Sequence, residues 1–235
     1  RRPNGGPSQE GEWGAEVKTV CAKQGSADWY RARLGIPTSS NFHRILTPKT
    51  LELSSQAKEY QYQLLSEWLT GVPHGSESAS AFMQRGTQLE PEAAAWYAYD
   101  RGVGLEEIGC VLRDDEMVAC SPDRLVGEDG GLEIKAPAAS THVRYMVEGL
   151  TGYTSQVQGA LWLTGRSYWD LLSYHPDMPA VVVRHERDEK HIAALERAVG
   201  QFVEELLAAR EALLARGCTP TKLRLTHNIA EPEPF

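Results

Sequence analysis

The sequence predicts an α/β domain, a β-sheet with helices on both faces. Three observations carry this. Apolar residues recur at helical spacing up to about residue 100, and short strand-like runs separated by Gly or acidic turns then take over. More helix, two strands and a long closing helix follow. With 235 residues, 41% of them hydrophobic, the chain can build one sizeable core and is too short for two.

Residues 1–14 (RRPNGGPSQEGEWG) are rich in Gly, Pro and charge, and read as a flexible arm ahead of a single domain at 15–235. The ordered chain is expected to open at Asp28 with DWYRARLGIPTSSNFHRIL, in which Thr38, Ser39 and Ser40 precede a short helix carrying Phe42, Ile45 and Leu46. A second helix spans about Ser54 to Leu69, with Tyr60, Leu64, Leu65 and Trp68 on one side, Ser54 or Ser55 as cap and Gly71 as stop. AFMQRGTQLEPEAAAWYAYDRG is a further helix, broken or kinked near Pro91, whose Trp96, Tyr97 and Tyr99 read as packing aromatics. LEEIGCVL, MVACSP and GLEIK are successive short strands. Helices follow at Ala139–Glu148 and in GYTSQVQGALWLTG, then strands SYWDLLSYH and AVVVRHER, then a helix from about Glu189 to Arg216.

Ser121 to Pro137 (SPDRLVGEDGGLEIKAP) carries the chemistry. Read as a hairpin turning at Gly127–Gly131, it sets Asp123 at the start of one arm and Glu133 and Lys135 on one face of the other, with Leu132 and Ile134 facing the core. Two carboxylates brought to about 4 Å repel by roughly 4 kcal/mol at an effective dielectric near 20, which calls for a cation between them. Mg²⁺ or Mn²⁺ suits such hard oxygen ligands, and a lysine two residues on can hold a water or offset charge on a phosphate. An isolated E-x-K is ordinarily a solvated strand face. Here it stands with S-P-D, a Gly-rich turn and A-P.

That combination resembles the PD-(D/E)xK nuclease superfamily and, within it, the phage λ exonuclease-like (YqaJ-type) alkaline exonucleases. The resemblance implies a restriction-endonuclease-like core, a central mixed β-sheet flanked by helices. It implies a Mg²⁺-dependent 5′→3′ exonuclease that degrades double-stranded DNA from its ends to mononucleotides and leaves 3′ single strands for recombination. By the same resemblance, Asp123, Glu133 and the Ile134 carbonyl hold two Mg²⁺ ions, with Mn²⁺ able to substitute. Glu90, in an R-G-x-x-x-E segment with Arg85 and Gly86, assists. Lys135 orients or activates the water, and Gln156 of Y-x-x-Q-V-Q positions the lysine or binds phosphate. Arg33 and Ser40 match an R-L-G-x-x-x-x-S segment that contacts DNA phosphate, and as a guanidinium fork and a helix-start hydroxyl they suit a terminal 5′-phosphate. A DNA-threaded homotrimeric ring and a single-strand annealing partner are implied as well. Arg124 departs from the family, which usually has Gly there; it adds a phosphate contact or points to solvent. Asp114 and Asp115 stand about where the family has an acidic residue and are otherwise turn residues.

A formal net charge of -8 is unusual for a protein that binds duplex DNA, so any basic footprint must be local. Cys21, Cys110, Cys120 and Cys218 lack C-x-x-C spacing, which argues against a zinc ribbon, a disulfide framework and an iron–sulfur member of the superfamily. No apolar run of membrane-spanning length and no signal peptide is present, so the expected location is the cytoplasm of a bacterial host, with no membrane contact. A structure-specific or restriction-type endonuclease would use the same metal site. A non-catalytic acidic interaction protein is the alternative from another class.

Overall fold

The computed structural model describes residues 17–74 and 81–225, with backbone alone for 81–84. The expected arm at 1–14 lies outside these residues. In chain order the elements are β1 (Val17–Val20), α1 (Ala27–Arg33), a 3₁₀ helix (Ser39–Arg44), α2 (Ala57–Thr70), α3 (Ala81–Arg101), β2 (Leu105–Glu106), β3 (Cys110–Arg113), β4 (Ala119–Cys120), β5 (Arg124–Val126), β6 (Gly130–Lys135), α4 (Ala139–Glu148), α5 (Thr154–Thr164), β7 (Tyr168–His175), β8 (Met178–Glu186) and α6 (Glu189–Ala215).

Five strands form the main sheet in the order β2-β5-β6-β7-β8. Only β6 and β7 run parallel, joined through α4 and α5, so the sheet is mixed as expected. Strands β1, β3 and β4 make a smaller antiparallel sheet. Helices cover both faces of the main sheet. On one side Ala93, Ala94 and Tyr97 of α3 pack on Val126, Leu132, Ile134, Leu172 and Tyr174. On the other, α2, α5, α6 and the 3₁₀ helix enclose Leu125 and Trp169 with Phe42, Tyr60, Leu64, Leu161, Leu195 and Phe202.

Several boundaries differ from the sequence expectation. The ordered chain includes a strand before Asp28, because Val17–Val20 pairs with Cys110–Arg113. LEEIGCVL splits into β2 and β3 in different sheets. The split falls at Gly109, where an added Cβ would lie 2.1 Å from the Ala22 carbonyl oxygen, so the chain changes sheets where backbones touch. Helix α3 runs on through Pro91, held by its buried Ala93, Ala94 and Tyr97; the missing N–H costs less than losing that face. Tyr99, expected to pack, is 91% exposed. Ser54 does not cap α2 at its N-cap position but accepts from the Gln56 N–H just ahead of it.

The hairpin is shorter in its turn than expected. Gly130 and Gly131 belong to β6, and a Cβ on Gly131 would lie 2.2 Å from the Trp169 ring. These glycines let aromatic rings of β7 lie against the neighbouring strand; the turn itself needs only residues 127–129.

Candidate active site

Asp123 immediately precedes β5, and Arg124 of β5 pairs with Leu132 of β6. This register brings the Asp123 carboxylate across the hairpin, where Oδ2 accepts the Ile134 N–H at 2.6 Å. Along β6, Leu132 and Ile134 pack toward α3, which sends Glu133 and Lys135 to the opposite face, beside α4 and α5. Glu133 is 6% exposed. Its Oε1 accepts from Lys135 Nζ at 2.6 Å and from Gln156 Nε2 at 2.7 Å, while Lys135 Nζ also lies 3.4 Å from Gln156 Oε1. Gln158, on the other side of α5, bonds the Glu186 carbonyl and the Asp188 N–H. Helical spacing thus gives the two glutamines separate roles.

The electrostatics follow from this crowding. Burial and the Glu133 charge push the Asp123 carboxyl well above the usual carboxylate range, against the pull of Lys135 and the Ile134 N–H. Burial works against the Lys135 ammonium, yet Glu133 and Asp123 hold its pKa above the ordinary lysine value. In the metal-free chain these two carboxylates favour the ammonium form of Lys135. Its ammonium also sits 4.7 Å from the ring centre of Tyr153, whose hydroxyl lies 3.1 Å from that of Tyr145. Burial and that hydrogen bond raise the Tyr153 phenol to about 12. It stays protonated at neutral pH.

The remaining expected residues lie around this centre. Glu90 of α3 is bound to Arg124 Nη1 at 2.7 Å. Arg124 does not point to solvent: it is buried between Glu90 and Glu107. Arg33 and Ser40 line different cavities. The Arg33 guanidinium stacks 3.9 Å from the Trp29 ring centre, donates to Ser121 Oγ at 3.0 Å, and faces a cavity of about 210 Å³ with Thr38, Asn41 and Tyr60. Burial lowers its pKa. Ser40 faces a larger cleft of about 530 Å³ with His43, Arg144, Tyr153 and Gln156. The hydroxyls of Thr38 and Ser40, 3.2 Å apart, link the two. Asp114 and Asp115 serve the β3–β4 turn: Asp115 pairs with Arg113 and accepts the Met117 N–H, and Asp114 accepts the Asp115 N–H.

Sequence reasoning gave no role to Tyr153, Ser121 or Arg144. The first two stand inside recognised motifs, three residues before Gln156 and two before Asp123, and that spacing was the available signal. Nothing marked Arg144.

Residues 28–167 match the YqaJ-like viral recombinase domain. The chain belongs to that family. Its structure is similar to the alkaline exonuclease LHK-Exo of Laribacter hongkongensis, with a TM-score of 0.73 and 32% identity over 82% of this chain and 98% of that one. LHK-Exo in complex with dAMP gives the same score at 34% identity and the same coverage. A phage-related exonuclease from Haemophilus somnus 129PT shares the fold at 17% identity, with a TM-score of 0.58 over 74% of this chain and 96% of that one. ExoD of Escherichia coli (strain K12) is 30% identical over 59 residues, 24% of this chain and 68% of that protein. Among the described residues no helix is long and apolar enough to cross a membrane.

Among the described residues no three His, Cys, Asp or Glu side chains gather as a metal-binding group. The pair Asp123 and Glu133 nevertheless fits a hard divalent cation: burial and then the Glu133 charge drive the Asp123 carboxyl up, and a cation between the two would offset that charge.

Proposed function

We propose that this chain is a Mg²⁺-dependent 5′→3′ exonuclease on double-stranded DNA that releases mononucleotides and leaves 3′ single strands. The observation that carries the reading is the meeting of Asp123, Glu133, Lys135 and Gln156 beside an open cleft. The likeness to LHK-Exo supports it, and the dAMP bound by that enzyme is a mononucleotide of the kind an exonuclease releases.

Asp123, Glu133 and the Ile134 carbonyl would hold Mg²⁺, two ions in all with help from Glu90, and Mn²⁺ would substitute. When bound, such an ion acts as a Lewis acid on the phosphate and lowers the pKa of a coordinated water. The chain's own groups order the attack. Gln156 holds Glu133 through its amide N–H, which fixes the carboxylate rotamer. Lys135 orients or activates the attacking water and offsets negative charge as the new P–O bond forms and the P–O3′ bond breaks. The attacking water gives up one proton as it bonds to phosphorus and the departing 3′ oxygen takes one up, both exchanged with solvent. Arg33 and Ser40 bind phosphates upstream of the cut, Arg33 through the fork it presents beside Ser121.

A homotrimeric ring, a single-strand annealing partner and a bacterial cytoplasmic setting complete the proposal. The test is digestion of linear 5′-phosphorylated duplex and covalently closed circular duplex, with Mg²⁺ and with chelator. Mononucleotides from the linear substrate alone, only with Mg²⁺, are expected. Cutting of the closed circle would replace exonuclease with endonuclease, and inertness on both would leave an interaction protein. Light scattering near 26 kDa, the mass of one chain, would remove the ring.

A further inference from the structure

Arg124 takes no part in the scheme above, yet it is 8% exposed beside the reacting groups. A guanidinium keeps its charge at any working pH, and burial is tolerable only when its donors are paired. They are paired unusually. Nη1 donates to Glu90 Oε1 at 2.7 Å and to the Asp123 carbonyl, and Nη2 lies 2.9 Å from Glu107 Oε1. One side chain thus ties α3, the chain after β2 and the first residue of the metal pair.

This tie bears on Glu90. The same Nη1 bonds Glu90 Oε1 and the Asp123 carbonyl, so Glu90 is held one donor away from the residue that bears the proposed metal ligand. It therefore has two competing cations, the guanidinium already bonded to Oε1 and a divalent ion beside Asp123. The guanidinium already holds that oxygen in a charge-assisted bond, which the ion must displace to gain Glu90 as a ligand.

We infer that Arg124 is a built-in counter-cation that restrains Glu90 and weakens binding of the divalent ion whose shell Glu90 joins. That ion gains Glu90 only as Glu90 loosens from Arg124. The inference rests on Asp123 and Glu133 being metal ligands. Arg124 is a positioning residue, acting through Glu90 and not on substrate.

The experiment is titration of the DNA-free protein with Mn²⁺, reading unbound Mn²⁺ by electron paramagnetic resonance. Arg124→Ala is expected to bind Mn²⁺ on the order of tenfold tighter, a ratio equivalent to about 1.4 kcal/mol. The gain should vanish in Arg124→Ala/Glu90→Gln. Arg124→Gln removes the charge and keeps an amide donor, so it should also tighten binding and serves if the alanine variant fails to fold. Unchanged or weaker binding in the folded Arg124 variants, or a gain that survives loss of Glu90, overturns the inference alone. Mn²⁺ binding indifferent to Asp123→Asn overturns the metal reading and this inference with it.

Discussion

Two carboxylate clusters sit on neighbouring strands of one sheet and are built to opposite ends. Asp170 of β7, 2% exposed, accepts from Arg184 Nε and Nη2 at 2.8 Å each and from the Tyr97 hydroxyl at 2.6 Å. Burial alone would raise its pKa, but those donors hold it below the ordinary value. Asp123 and Glu133 share one ammonium, one side-chain amide and one backbone N–H, and the Asp123 carboxyl is pushed up instead. The first cluster is saturated and rigid. The second retains excess negative charge on acceptors near a cleft, which is the condition under which a carboxylate recruits a cation. Burial alone does not separate structural from chemical carboxylates; the number of donors each receives does.

The largest expected effect falls on turnover and on one cluster only. Glu133→Ala should lower Mg²⁺-dependent cleavage on the order of 10³-fold, and Lys135→Ala on the order of 10²-fold with DNA binding kept. Single-turnover digestion checks both, and a folded Glu133→Ala protein that still turns over would break the comparison. If Lys135→Ala loses binding but keeps its saturated rate, the lysine anchors DNA and is not catalytic.

Stability should show the reverse ranking. Asp170→Ala leaves Arg184 and Tyr97 without their acceptor and is expected to cost about 3 kcal/mol, the low end for a broken buried pair because Arg184 is half exposed. Glu133→Ala takes an acceptor from Lys135 and Gln156 but also removes repulsion and leaves Asp123 to offset the ammonium, and should leave the metal-free protein within about 1 kcal/mol of wild type. Urea unfolding in chelator measures both, and equal losses would erase the distinction.

Acid and base sharpen it through their signs. Asp170 has a lowered folded pKa, so its contribution is present above the unfolded value near 3.8 and is lost as pH falls through the folded one. Asp123 has a raised folded pKa, so its contribution is present below 3.8 and is lost as pH rises through the folded one. In metal-free protein, Asp123→Asn should therefore gain stability relative to wild type as pH climbs from 4 toward neutrality. Asp170→Asn should lose relative stability over the rise that ionises Asp170. Parallel pH curves for the two variants would contradict the assignment.

The smallest effect concerns the substrate's end. Arg33→Ala should remove most of the preference for a 5′-phosphorylated over a 5′-hydroxyl duplex, roughly 1.5 to 3 kcal/mol of charge-assisted hydrogen bonding. Ser40, in the other cavity, should contribute less than about 1 kcal/mol. An Arg33→Ala protein that still discriminates would move the end-measuring site elsewhere.

The α/β order, the helices at Ala139–Glu148 and Glu189 onward, and the pairing of Asp123 with Glu133 and Lys135 were legible in the sequence, since each rests on local periodicity or on contacts across one hairpin. Helical spacing required only that Gln156 and Gln158 face different ways; the family resemblance chose Gln156, and Gln156 is the one bonded to Glu133. Tertiary structure alone decided what depends on distant segments. It split β2 from β3 between two sheets, gave Gly131 to the Trp169 ring instead of the turn, and put Arg33 and Ser40 in separate cavities. It also enclosed Arg124 between Glu90 and Glu107 and completed Asp170 with Tyr97 from 73 residues away. No periodicity encodes such pairings: a charged side chain has the same local preference whether it meets water or a partner, and only the packed chain determines which.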